Sequence, residues 1–182
     1  MPEALARLAP NNHYTEWIVN ARAIKHGLGT TFRIIIFLGD FSSDPANWAG
    51  NAEYNTVGRV TVFGRDSDTN CEKCRTHQAH SVMTTGTVPL TSALIQDIAA
   101  GRLRNLEPAD VIPHLQKNLH WRIKTFEGVE HPRDQVPGLK ISVSSMGVDI
   151  DEYGVPNYSG VYATHRQITA GRPGGLQQGD PM

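Results

Sequence analysis

The sequence predicts a mainly β protein, a β-sandwich or β-barrel with one or two short helices inserted. Three observations lead there. About seven short strand-like segments recur along the 182 residues, two of them alternating with period two. Turn formers separate these segments, and the chain holds 17 Gly and 11 Pro. Helical spacing of apolar residues shows in one region only, between about residues 91 and 117.

Residues 1–12 read as a leader or linker ending in Pro10-Asn11-Asn12. From Tyr14 to about Ala23 the chain alternates, with Thr15, Trp17, Val19 and Ala21 on one face and Tyr14, Glu16, Ile18 and Asn20 on the other. Gly27-Leu28-Gly29 makes a turn. Thr31 to Leu38 is β-branched and aromatic, as expected of a buried strand. A loop through Asp44-Pro45 and Gly50-Asn51 leads to Asn55–Phe63, where Val60 and Val62 oppose Val57, Arg59 and Thr61, and Gly58 blurs the pattern. Residues 64–79 are polar and carry both cysteines in a loop, with Gly64 to Asn70 as its mobile stretch. Ser81 to Leu90 is a further strand.

Thr91-Ser92 can cap a helix in which Leu94, Ile95 and Ile98 share a face, stopped by Gly101. Pro108 opens a second helix near Ala109–Lys117, kept short or irregular by Pro113. Leu119–Phe126, Leu139–Val148 and Val155–Thr164 complete the strands. Residues 166–182 have no period and much Gly, Pro and Gln, and read as a disordered tail.

Charge is balanced, with 17 Lys plus Arg against 18 Asp plus Glu, which argues against nucleic-acid or membrane binding through bulk charge. No apolar run is long enough to span a bilayer. The N-terminus lacks the basic and apolar regions of a secretory signal, so the expected location is intracellular, in the cytoplasm.

The densest chemistry is Cys71-x-x-Cys74-x-x-His77-x-x-His80. Two thiolates at this spacing can close on one soft metal ion, and Lys73 and Arg75 favour the thiolate form. Structural zinc wants four closed ligands with a longer gap between its pairs, so this cluster is cramped for it. The residues alone leave copper, zinc, a redox pair and unused thiols open, with His77 and His80 as further candidate ligands. The other histidines (His13, His26, His114, His120, His131 and His165) are scattered. No nucleophile elbow, phosphate loop or dinucleotide fingerprint occurs.

Several stretches together resemble one family. They are Tyr14-Thr15-Glu16-Trp17-Ile18-Val19-Asn20, Phe37-Leu38-Gly39, Asn55-Thr56-Val57-Gly58-Arg59-Val60, the Cys71/Cys74 pair, Gly86-Thr87-Val88-Pro89-Leu90-Thr91, Glu107-Pro108-Ala109-Asp110-Val111 and Pro132 to Leu139. The family is the C-terminal domain of long fungal tyrosinases, and the resemblance makes residues 13–165 such a domain. It implies a haemocyanin-like β fold that caps a separate catalytic domain, which holds two copper ions on six histidines and oxidises phenols on the way to melanin. It implies latency, a proenzyme in which an aromatic ring on the cap takes the place of substrate, and release by proteolysis or acid. It also implies that Cys71 and Cys74 handle copper, as Cu(I) in transit, on its way to the catalytic domain. Phe63 is the expected plug, with Tyr54 and Phe41 as alternatives.

On this reading the chain is no enzyme alone. It is the regulatory and copper-delivering part of a monophenol monooxygenase, and its partner is the catalytic domain in the same or a separate polypeptide. A free-standing Cu(I) or zinc carrier and a thiol oxidoreductase are the alternatives.

Overall fold

Alternation in the first strand sets the architecture. In a computed structural model that describes residues 8–48, 55–66, 68 and 70–181, β1 (His13–Ile24) buries every second residue from Thr15 to Ala23. The other strands are β2 (Phe32–Leu38), β3 (Thr56–Val62), β4 (Met83–Pro89), β5 (Leu119–Thr125), β6 (Glu130–His131), β7 (Lys140–Ile150) and β8 (Pro156–Thr164). They form two four-stranded antiparallel sheets, ordered β4-β1-β7-β8 and β3-β2-β5-β6. The sheets face each other and stay separate, so the fold is a sandwich and not a closed barrel.

The core lies between them. Trp17 and Val143 from the first sheet meet Ile34, Val62 and Trp121 from the second, all with no exposed surface. Each buried indole has its N–H satisfied: Trp17 donates to the Leu106 carbonyl at 2.9 Å, Trp121 to that of Pro173 at 3.0 Å and Trp48, outside this core, to that of Ser42 at 2.7 Å.

Two glycines explain the blurred alternation of β3. A Cβ on Gly58 would come within 2.6 Å of a Val88 methyl, and one on Gly86 within 2.6 Å of a Val60 methyl. Here β3 and β4, the edge strands of opposite sheets, pass too closely for any side chain at either position.

Three helices lie between the strands: α1 (Glu72–Ala79), α2 (Thr91–Ala99) and α3 (Pro108–Asn118). Leu94, Val111 and Leu115 anchor the last two in the core. Thr91 does not cap α2; its hydroxyl accepts the Trp17 amide at 2.8 Å and ties the helix start to β1. The nearly buried Asp97 of α2 accepts from His114 of α3 at 2.7 Å and from the Arg102 guanidinium.

Two expectations are corrected. The polar stretch 64–79 is not all loop, because α1 occupies half of it. Its sequence has no apolar face and buries no residue, so hydrophobic periodicity could not announce it. The tail is not disordered either. Arg166–Ile168 forms a 3-10 turn, Ile168, Thr169 and Leu176 are buried, and Gly174–Leu176 runs beside Ile141 of β7 beyond the end of β8. Arg166 donates to the carbonyls of Gln177 and Asp180, and Lys140 pairs with the Asp180 carboxylate at 2.7 Å. Single side chains and backbone bonds hold this segment, which is why its composition misleads. Of the leader, residues 1–7 lie outside the described residues; Ala9 is buried and Pro10–Asn12 forms a 3-10 turn.

Candidate functional site

The site is assembled where β3 runs out. Val60 and Val62 point inward and hold the strand, and the next residue, Phe63, emerges 70% exposed. Gly64 must be glycine, since a Cβ would run into the Thr30 carbonyl. Its N–H and C=O both meet the Thr31 hydroxyl at 3.3 Å. Arg65 then donates its backbone N–H to Nδ1 of the buried His26 at 3.1 Å. Burial, then the neighbouring Lys25 and His77, lower the His26 pKa from its ordinary value, which favours the neutral ring that the bond from Arg65 to Nδ1 requires. The Nε2 of His26 is buried without a partner among the described residues.

Cys71 sits at the N-cap of α1, in extended geometry. Its Sγ accepts the Cys74 amide at 3.3 Å, while its carbonyl accepts the amides of Cys74 and Arg75. The two cysteines are joined in a disulfide with Cα atoms 5.2 Å apart. The helix is fastened at its far end: Val82 donates to the His77 carbonyl, Lys25 donates to the Val82 carbonyl, and Lys25 Nζ lies 3.4 Å from His77 Nδ1.

Helix geometry separates the four candidate ligands. Steps of three residues fall about 60° short of a full turn, so over three steps Cys71 and His80 end on opposite sides, with about 13.5 Å of axis between them. His77, one turn from Cys74, is the nearer histidine; His80 is exposed at the C-cap. Among the described residues no three His, Cys, Asp or Glu side chains converge on one point. The donors that suit a soft ion are therefore the two sulfurs, once reduced.

Of the alternative plugs, Tyr54 lies outside the described residues. Phe41 is half-buried and stacked on Phe37 with ring centroids 4.4 Å apart.

The sequence reading did not single out Phe126. Val62 and Thr125 are both registered with Phe32, so Phe63 and Phe126 flank Thr31, whose carbonyl accepts the Phe126 amide at 2.9 Å. Phe126 is 75% exposed. Period two along β5 was the available signal, since it puts Phe126 on the face of Arg122 and Lys124. His26 carried no such signal, because its partners come from a distant segment.

The chain matches the tyrosinase C-terminal domain family over residues 16–143. It is 53% identical to a tyrosinase of Neurospora crassa over 175 residues, 96% of this chain and 25% of that protein. It is 56% identical to a tyrosinase of Podospora anserina over 103 residues, 54% of this chain and 18% of that protein. The chain thus spans about a quarter or less of the length of these relatives. Its fold is shared with a solved structure of latent and active mushroom tyrosinase, at 19% identity and a TM-score of 0.59 over 86% of this chain and 26% of that one. No helix among the described residues is long and apolar enough to cross a membrane. By its sequence match and its two-sheet architecture, the chain belongs to the tyrosinase C-terminal domain family.

Proposed function

We propose that this chain shields the dicopper site of a tyrosinase catalytic part and holds the enzyme latent. The observation that carries this reading is Phe63, a large apolar ring displayed at 70% exposure on a glycine-backed strand end. An exposed phenylalanine on so constrained a backbone is shaped to enter a pocket elsewhere. A phenyl ring matches the ring of a phenol and lacks the hydroxyl that is oxidised, so it fills a phenol pocket without turning over. The catalytic part supplies the copper-bound imidazoles and the oxidation chemistry. The histidines of this chain are dispersed over strands, turns, α1 and α3 and supply none of it. Release of the cap then switches on phenol oxidation.

The experiment is to mix the chain with the catalytic part and follow diphenol oxidation. The wild type blocks turnover and Phe63→Gly blocks it poorly, with the same unfolding midpoint. A Phe63→Gly chain that inhibits as well as the wild type removes the plug.

Copper delivery belongs to the same reading, with Cu(I) as cargo. Two electrons and two protons from a cellular dithiol or glutathione-type thiol open the Cys71–Cys74 bond, and the two thiols lose their protons as they take the ion. A cytoplasmic setting fits, since such compartments keep thiols reduced. Anaerobic Cu(I) titration of the wild type, Cys71→Ser and Cys74→Ser decides it, and equal affinity in all three rules the pair out. The N-cap position of Cys71 also suits thiol–disulfide exchange, because the helix N-terminus stabilises a thiolate. Catalysed reduction of insulin by the chain would favour that second reading.

A further inference from the structure

The outer face of the β3-β2-β5-β6 sheet is cationic in register, and Trp48 and Phe41 cover its middle at Ile35 and Phe37. Arg33 of β2 stands opposite Lys124 of β5, and Ile35 stands between Arg59 of β3 and Arg122 of β5. Arg33 and Lys124 are like charges directly opposite each other, an arrangement that destabilises a sheet, and Glu130 stands opposite Lys124 on the other side only. Glu130 of β6 is the one carboxylate among these strand positions, and Arg122 takes it at 3.3 Å. Lys124 donates to the Pro45 carbonyl, and Glu127 lies in the turn at the end of the sheet near Thr30. Arg33 and Arg59 are exposed, and among the described residues neither guanidinium has an acidic partner. The chain as a whole carries net charge −1, so this face concentrates positive charge against the average.

One end of this face is apolar. Phe63 and Phe126 flank Thr31 from the strands on either side of β2, which places them about 10 Å apart across the sheet. Val129, 61% exposed, follows in the turn to β6. Two exposed rings in register, backed by cations without an acidic partner among the described residues, are what a docking surface needs: an apolar anchor and a charged surround that guides it.

We infer that this pole, with Phe63 and Phe126 as its prongs and Arg33 and Arg59 behind them, is the surface by which the chain docks on the catalytic part of a tyrosinase, at an apolar pocket rimmed by carboxylates. The inference rests on the shielding reading above. It adds a second anchoring ring and an electrostatic component to an interface of which Phe63 is one contact. The other exposed apolar surface is the edge strand β8 with Tyr158, Val161 and Tyr162; the cations beside it, Arg22 and Lys140, are tied to the Pro181 carbonyl and the Asp180 carboxylate, and it continues no surface that holds Phe63.

The test measures binding of the full chain to the catalytic region of the Neurospora crassa tyrosinase by interferometry, at about 0.05 M and about 0.5 M NaCl, beside inhibition of diphenol oxidation. All substituted positions are exposed, and equal urea midpoints confirm that each variant is folded. Wild-type association slows by about tenfold or more at high salt, as screening requires. Arg33→Glu with Arg59→Glu weakens binding by about tenfold or more and flattens the salt dependence. Phe126→Ser weakens it at both salts, whereas Val161→Lys with Tyr162→Ser leaves it unchanged. If the wild type binds and inhibits while the charge-reversed and Phe126 variants match it, or if the β8 variant alone loses binding, this surface is the wrong one and the shielding reading stands. A wild type that neither binds nor inhibits at either salt overturns the shielding reading and the surface with it.

Discussion

Nδ1 of His26 accepts the backbone N–H of Arg65 at 3.1 Å, which fastens the turn after β1 to the residue two places beyond Phe63. The ring thereby fixes the direction in which the chain leaves β3, although the two residues lie far apart in sequence. His26→Ala removes the acceptor and leaves the amide without its partner, at a cost of about 1–3 kcal/mol. Amide exchange at Arg65 and Val82 should accelerate while that of the core strands falls only with global stability. Unchanged protection at Arg65 would show that another contact holds the segment.

Stability should fall on mild acidification. The pKa of His120 is lowered by burial and by Arg172, Arg122 and Arg133, and that of His165 by burial. Protonating either ring is harder in the folded chain than in the unfolded one. Their contribution is therefore complete above the ordinary histidine pKa near 6.5, and it is lost as pH drops from there through the lower folded values. The urea midpoint should be lower at about pH 5 than at about pH 7.5. His165→Asn should make that slope shallower, though it gives up stacking on Trp17 at 4.9 Å. A slope equal to the wild type's would exclude His165 as a contributor.

Truncation after residue 165 should weaken the sandwich, because the tail is part of its core. Ile168 and Leu176 bury their side chains, worth about 3–6 kcal/mol together. The Trp121 indole would lose the Pro173 carbonyl, and the Arg172 guanidinium would leave the indole face, 4.2 Å away. Circular dichroism melts of the shortened chain should show a large loss of Tm. A melt equal to that of the full chain would mean that the tail merely lies on the surface.

Gly58→Ala should destabilise by about 1–3 kcal/mol through overpacking against Val88. Gly58→Ala combined with Val88→Ala should cost less than the two changes added together. Strict additivity in urea unfolding would show that the strands separate without strain.

The strands that face each other across the core were legible, because Trp17, Val19, Val60 and Val62 bury alternate positions that period two displays, and β2 reads as a continuous β-branched and aromatic run. α1 was not legible, since capping and local backbone bonds hold it and no apolar face marks it. The tail was missed for a related reason: two buried side chains and a few carbonyl contacts leave no periodic trace. At the candidate site, Cys71 and Cys74 stood out by residue type and spacing, and Phe63 entered through the family resemblance. His80 was grouped with them by spacing, and the rotation of the helix carries it to the far side. Phe126 showed only through period two along β5, and His26 reaches Arg65 only once β2 pairs with β3.

The crossing of β3 and β4 also bears on how this domain can diverge. Gly58 receives a methyl of Val88, and Gly86 receives one of Val60, so two small–large contacts interlock in opposite senses. A bulkier residue at either glycine fits only if the facing valine shrinks. Among homologues, positions 58 and 88 should therefore trade volume as a couple, as should 60 and 86, while the summed size of each couple stays nearly constant. Lineages that keep both glycines inherit a narrow waist between the sheets, and variation is free to accumulate at the exposed positions on either side of it.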